Sequence, residues 1–403
     1  MITRRQLAGA VATLPLFGHP TMAAESRSVR VGVLNDQSGL YSDMGGPGSV
    51  VAARLAMADA GLAGRGWKTE VLVADHGNKP DVAVAIARQW FDSGVDAVAD
   101  VTNSAVALAV SQIAREKNKA MLASGPATSD LTGSACSPNT VHWTHDTWAF
   151  ANAIGKAVLR TGGRRWFFIT ADFAFGHALE RDITKVILAG GGQVLGHVVA
   201  PNDTADFSSY LLRAQSSGAD VIGLANSGGD MVNSVKQAAE FGITKGGQRL
   251  AGLLIYVTDV HAIGLEYAQG LRLVSPFYWD MNEGTRAFSA RFAAERGGTK
   301  PSMVQAGTYA AVLHYLKAVE SLGGAGDGRA VVDAMKQMPT DDPLFGQGTV
   351  RADGRKMHPM FLFRVKAPAE QRYPWDYYEQ EAVIPADQAF RPLAEGACPL
   401  VRT

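Results

Sequence analysis

The sequence predicts an α/β protein of two similar Rossmann-like lobes, each built on a parallel sheet. Three observations carry that reading. Apolar strand patterns alternate with helical ones from Val29 onward. The alternation restarts after a break near His145. The strands at Ala97–Val101 and Ala120–Ala123 each run into small residues with free hydroxyls or amides, where a helix can follow. Repeated β-α-β units of this kind wind right-handed around a parallel sheet.

The first series opens with Val29–Asn35, a nearly continuous apolar strand. Gly48–Ala60 has helical spacing, and Lys68–Asp75 alternates as a strand. Asp81–Ser93 carries a helical stripe, with Asp81 after Pro80 at its start. The stretch from Asp96 to Thr128 is the most informative. It reads as strand Ala97–Val101, turn Thr102-Asn103-Ser104, helix Ala105–Lys117, strand Ala120–Ala123 and turn Ser124-Gly125-Pro126-Ala127-Thr128. Two helix starts side by side would aim unpaired N–H groups and two positive dipole ends at one place, a site for a carboxylate. No nucleophile, base or metal cluster accompanies them, which points to holding an acid rather than transforming it.

The short strand Val141–Trp143 leads into the restart. Asp146–Arg160, Phe175–Ala189, Phe207–Ser217 and Gly229–Phe241 read as helices. Between and after them Arg165–Ala171, Gln193–Val199, Val221–Asn226, Arg249–Tyr256 and Leu271–Pro276 read as strands. A ligand between two such lobes would lie beyond the carboxyl ends of their strands. Thr285–Arg296, Ser302–Leu322 and Arg329–Met338 read as helices, then Gly346–Val350 and Met360–Val365 as short strands. From Ala367 onward weak periodicity and abundant Pro, Tyr and Trp predict an irregular tail along the surface. A tail this long needs an anchor, which Cys398 could supply.

The leader is separate. Met1 to Gln6 is basic, Leu7–Phe17 is apolar, and Thr21-Met22-Ala23-Ala24 is small, the pattern of a cleaved secretory signal over 1–24. Thr3-Arg4-Arg5-Gln6-Leu7 also fits a twin-arginine signal, with an ordinary export leader as the alternative. The apolar run is too short to span a bilayer comfortably. The whole chain is formally neutral, and losing Arg4 and Arg5 with the leader leaves about minus two. That balance argues against a nucleic-acid partner. A mature length of roughly 380 residues suits two domains. The two cysteines, Cys136 and Cys398, would pair in an exported protein and pin the tail to the first lobe, the alternative being two buried thiols. Their spacing suggests no metal site.

Four motifs, in this order and spacing, carry a resemblance. They are Val31-Gly32-Val33-Leu34-Asn35-Asp36-Gln37-Ser38-Gly39-Leu40-Tyr41, Leu122 to Thr132, Asp172-Phe173-Ala174-Phe175-Gly176, and Asp206-Phe207-Ser208 followed by Gly218-Ala219-Asp220-Val221-Ile222. With them the chain resembles the type I periplasmic solute-binding proteins of ABC importers, in the branched-chain amino-acid-binding group. The resemblance implies the type I periplasmic binding fold with a hinge of three crossings. Lobe one would hold 28–146 and 277–353, lobe two 147–276 and 354–366, and the tail 367–403. It also implies a periplasmic location, membrane permease subunits as partners and no cofactor, and a monomer is expected.

Carried over by motif, the ligand would meet Tyr41 from the first loop, Asn103 and Ser104 at one helix start, Ala127 and Thr128 at the other, and Phe175 from lobe two. Trp148 lies just past the first crossing, Asn226 and Tyr256 end lobe-two strands, and Asp259 follows closely. The bland readings are a loop cap for Tyr41, ordinary N-caps for Ser104 and Thr128, core for Phe175, and a short-helix cap for Asp259. There is one departure. Relatives that bind amino acids supply an acid to the ligand ammonium after the strand matching Arg249–Tyr256. Here Leu253 to His261 has no Glu in register, and Asp259 is displaced. An ammonium without a partner is costly to bury. The expected ligand is therefore a 2-oxo, 3-oxo, hydroxy or small aromatic acid.

Two rivals remain: an amino-acid binder of the same fold using Asp259 or Asp146, and an exported sensor domain. Gly45-Gly46-Pro47-Gly48 lacks the Lys-Ser/Thr ending of a phosphate loop and reads as a turn opening a helix. Asp146 and Asp172 fall in segments that look like binding loops, and no Gly-x-Ser-x-Gly elbow or zinc motif occurs, so no catalytic residue is expected.

Overall fold

The computed structural model describes residues 27–401; the leader read at 1–24 lies outside them. The first series folds as β1 (Ser28–Asn35), α1 (Gly46–Ala60), β2 (Lys68–Asp75), α2 (Pro80–Asp92), β3 (Ala97–Asp100), α3 (Ser104–Glu116), β4 (Ala120–Ala123) and β5 (Thr140–His142). Its strands form one parallel sheet in the order β2-β1-β3-β4-β5. The central strands β3 and β4 are buried along their whole length, which is why they read as unbroken apolar runs.

The second series follows as α4 (Thr147–Arg160), β6 (Arg165–Ala171), α5 (Ala174–Ala189), β7 (Gln193–Ala200), α6 (Ser208–Ser216), β8 (Val221–Ala225), α7 (Gly229–Glu240) and β9 (Arg249–Gly252). It makes a parallel sheet in the order β7-β6-β8-β9. In both sheets the first strand of the series has its next two strands on opposite sides. That reversal opens a crevice at the strand carboxyl ends, between β1 and β3 in one lobe and between β6 and β8 in the other.

Two short helices, α8 (Val257–Ile263) and α9 (Leu265–Ala268), lead to β10 (Arg272–Ser275). The chain then returns to lobe one with α10 (Glu283–Glu295), α11 (Met303–Leu322) and α12 (Gly328–Gln337). Helix α11 is buried along most of its length. The Ser302 hydroxyl caps its N-terminus by accepting from Val304 and Gln305 N–H. A small antiparallel meander follows, β11 (Thr340–Asp342), β12 (Gly346–Val350) and β13 (Lys356–Met357). Then β14 (Met360–Val365) pairs with β10 on one side and β15 (Tyr378–Ile384) on the other, all antiparallel.

Two sequence expectations are corrected here. The strand expected over Arg249–Tyr256 stops at Gly252. Beyond it Leu253 N–H still reaches Leu224 O at 3.3 Å, but the chain then turns into α8. The tail is not irregular throughout: Tyr378–Ile384 adds a strand to β14, with a register shift between Leu362 and Phe363. That shift, together with the polar alternation of an edge strand, weakens its pattern in the sequence.

The tail's anchor is the Cys136–Cys398 disulfide, with Cα atoms 5.6 Å apart. Just before it, Arg391 donates to Ser129 O at 3.0 Å, and Gln388 O accepts from Asn152 of α4 at 2.6 Å. The tail thus touches the loop after β4 in lobe one and the first helix of lobe two.

Candidate functional site

The turn from β3 to α3 is the most constrained backbone of the cleft. Asp100, Val101 and Asn103 have φ of 69°, 53° and 77°, and a β-branched residue such as Val101 is rarely found there. Such strain persists only where surroundings fix it. The buried Asp100 carboxylate accepts from Thr102 Oγ1 at 2.9 Å and Asn35 Nδ2 at 2.7 Å. Burial pushes this carboxyl upward, against the pull of its hydrogen bonds to Ser49, Asn35 and Thr102. Asn103 Oδ1 caps α3 by accepting from Ala105 and Val106 N–H at 2.9 and 3.3 Å.

The second expected helix start is a single 3₁₀ turn, Ser129–Thr132. Its lead-in packs against the first: Thr128 N–H donates to Ser104 Oγ at 3.1 Å. Thr128 Oγ1 itself accepts from Asp130 N–H and donates to Asp130 Oδ2, so its hydroxyl is engaged locally. Thr102, Gly125 and Pro126 complete this floor.

From lobe two, Phe173 and Phe175 come from the end of β6 and Ser227 from the end of β8. Leu254 and Tyr256 follow β9, and Tyr41 and Met44 follow β1. Together with Asn103, Ser104 and Ala127 they enclose about 240 Å³, openings to solvent included. The enclosed part is far smaller, about 20 Å³, room for one or two waters. None of the thirteen lining residues is Asp, Glu, Lys, Arg or His.

The lobes meet around this cavity. Tyr41 Oη donates to Asn202 Oδ1 at 3.2 Å across the cleft. Gly228, with φ of 62°, lies so close to the first loop that a Cβ would come 2.8 Å from Leu40 O. On the hinge side, buried Asp182 of α5 accepts from Ser129 Oγ at 2.7 Å and Thr147 Oγ1 at 2.6 Å. Arg181 pairs with Asp182 at 3.0 Å and with Asp130 of lobe one at 3.1 Å.

Of the residues singled out in the sequence, Tyr41, Asn103, Ser104, Ala127, Phe175 and Tyr256 line the cavity. Thr128, Trp148, Asn226 and Asp259 do not. Trp148 is half-buried in the first turn of α4. Asn226 Nδ2 donates to Ser234 Oγ at 2.8 Å. Asp259 is buried in the first turn of α8, its carboxylate accepting from Tyr256 N–H at 2.9 Å. Burial pushes its carboxyl up to about 7, against that hydrogen bond. Lining residues not singled out were Phe173, Ser227, Leu254, Thr102, Gly125, Pro126 and Met44. Phe173 and Ser227 carried a usable signal, since each lies two residues past a strand's carboxyl end.

Among the described residues no helix is long and apolar enough to cross a membrane, and no group of three His, Cys, Asp or Glu could hold a metal ion.

Comparison with known proteins places this arrangement. The family profile described as periplasmic binding protein matches residues 28–371. A periplasmic binding protein from Burkholderia mallei, known from its crystal structure, is 45% identical. It covers 93% of this chain and 100% of its own, with a TM-score of 0.90. A branched chain amino acid ABC transporter periplasmic ligand-binding protein from Burkholderia xenovorans is 39% identical, covering 92% and 99%, with a TM-score of 0.81. A solute-binding protein of an ABC transporter from R. palustris, solved in complex with benzoate, shares the fold alone at 20% identity. It covers 89% and 97%, with a TM-score of 0.78.

Proposed function

We propose, from the premise that this chain belongs to the periplasmic binding protein family, that it captures a small carboxylic acid lacking an ammonium group and hands it to the membrane permease subunits of an ABC importer. It acts in the periplasm after export and performs no chemistry on its ligand. The observation that carries the ligand class is the absence of any charged side chain among the cavity's lining residues. An ammonium there would be desolvated without a partner. A carboxylate suits the site better, because the Ser104 hydroxyl and the N–H groups of the strained β3–α3 turn are hydrogen-bond donors at a positive helix end. Asp259, the nearest substitute for an ammonium partner, is engaged by the backbone and held near 7 by burial, so its negative charge is incomplete at neutral pH.

The expected ligands are 2-oxo, 3-oxo, hydroxy or small aromatic acids. Capture proceeds by closure: contacts across the cleft, such as Tyr41 with Asn202, add to those of a ligand that bridges the lobes. The benzoate complex of the R. palustris protein supports a carboxylate in this fold. The description of the B. xenovorans relative favours a second reading, a branched-chain amino acid.

Titration calorimetry on ligand-stripped protein separates them. 4-Methyl-2-oxopentanoate or benzoate is expected to bind at least about a hundredfold tighter than leucine, the cost of an unpartnered ammonium. Submicromolar binding of leucine with no binding of either acid overturns the proposal.

A further inference from the structure

The sheet of lobe two ends at β9, and the next strand, β10, is the outer strand of a different sheet. Each strand therefore turns a bare edge toward the other. Arg249 N–H bonds to Asp220 O on the β8 side, so by strand alternation the peptide groups of Leu250 face away from β8. Leu271 O accepts from Val365 N–H, so those of Arg272 face away from β14. Between β9 and β10 lies a hollow of about 440 Å³, within the size range of small-molecule sites.

The hollow has the layout of a site for an amphiphile. Ile154, Ala157 and Val158 of α4 form its floor, with Leu250 and Leu271 at its sides. No Asp or Glu is among its lining residues, but two cations are, Arg249 and Arg272. The two are not equivalent. Glu381 neutralises Arg272 with bonds of 2.8 and 3.1 Å. Arg249 donates to Thr161, at 2.9 Å to Oγ1 and 2.9 Å to O, and both acceptors are neutral. Arg249 also borders an open polar groove on the outer side, where Asp220 is taken by Arg165 at 2.9 Å. Its guanidinium thus stands where an apolar interior meets water, the place for the head of an amphiphile.

We infer that this hollow is a second ligand site, for a straight-chain aliphatic monocarboxylate. The carboxylate lies on Arg249, whose planar fork matches it. The alkyl chain runs over α4 between the two strand edges. The hollow lies at the amino ends of the strands, where β8, β9 and β10 begin at Val221, Arg249 and Arg272. The cleft lies beyond their opposite ends, so the two sites fill independently. The inference does not depend on which ligand the cleft takes.

Titration calorimetry on the exported protein compares octanoate, butyrate and octylammonium. Octanoate is expected to bind at least about tenfold tighter than butyrate, because four more methylenes leave water. Octylammonium, which shares the chain and reverses the charge, is expected not to bind. Arg249→Gln, at an exposed position, is expected to weaken octanoate about tenfold. Val158→Trp, which fills the hollow from α4, is expected to abolish its binding. Urea unfolding shows whether each variant is folded, and Arg249→Gln carries the test alone if Val158→Trp is not.

Absence of octanoate binding at about 1 mM overturns the site. Equal binding of octylammonium overturns the role of Arg249 and with it the ligand class. Octanoate binding that the folded variants leave unmoved places the acid elsewhere, the cleft included, and also overturns the site.

Discussion

Replacing Asp182 by Asn tests whether the hinge-side contact between the lobes is energetically important. Asp182 is buried, and its carboxylate accepts from Ser129 Oγ at 2.7 Å and Thr147 Oγ1 at 2.6 Å. Arg181 adds a third bond at 3.0 Å, but that guanidinium is 41% exposed and counts for little. A hydrogen bond to a charged group contributes about 1.5–3 kcal/mol. Asn keeps the size and one acceptor oxygen while removing the charge. The expected destabilisation is about 2–4 kcal/mol, read as a lower urea midpoint with an unchanged slope.

The two bonds differ in what they join. Thr147 begins α4 in lobe two, whereas Ser129 belongs to lobe one. Thr147→Val is therefore expected to lower stability alone. Ser129→Ala is expected to weaken ligand as well, by about tenfold if roughly 1.4 kcal/mol of the closed state is lost. An Asp182→Asn protein within about 0.5 kcal/mol of the parent, with the same ligand affinity, refutes the reasoning.

Two further predictions concern stability. The Cys136–Cys398 bridge spans 262 residues, and the chain-entropy model gives such a closure about 5–6 kcal/mol, with real bridges often delivering less. Cys136→Ser with Cys398→Ser should lower the melting temperature, and free thiols in unreduced exported protein would contradict the bridge. Asp259 sets a pH dependence. Its folded pKa of about 7 lies above the ordinary carboxyl value of 3.8, so the folded state holds the proton more tightly and stability falls as pH rises from about 4 to about 7. Asp259→Asn should flatten that slope. An identical slope in parent and variant, measured by urea unfolding across the window, would contradict the burial argument.

The two parallel sheets were legible because buried strands and amphipathic helices impose different periods on the sequence. The Cys136–Cys398 pairing was legible because an exported chain with two cysteines has few alternatives. Three things were not. Strand β15 is an edge strand with polar alternation and a register shift against its partner, so its pattern resembles a loop. The end of β9 was hidden because Leu253, Leu254 and Ile255 continue its apolar run while packing as core beyond the strand. In the site, Thr128 and Ser104 have the composition of paired anchors, but a sequence does not say which hydroxyl is spent locally. Ser227 was one residue, and Phe173 two, away from positions already marked. At a strand end, which neighbour faces the cavity is decided by the turn, not by residue type.

The contact at Gly228 has a consequence for how size is judged. Many hinged proteins tighten until they touch whatever lies inside. Here backbone also meets backbone, because Gly228 lies so near Leu40 O that there is no room for a Cβ between them. The cleft closes onto a mechanical stop, and its final gap is a property of the polypeptide rather than of the guest. A guest slightly too large holds the jaws ajar and forfeits the contacts of Tyr41 and Asp182. One slightly too small leaves a void that the jaws cannot take up. Even a methyl group at position 228 would press on Leu40 O and on the Tyr41 ring, changing the caliper from outside the cavity's own lining at that position.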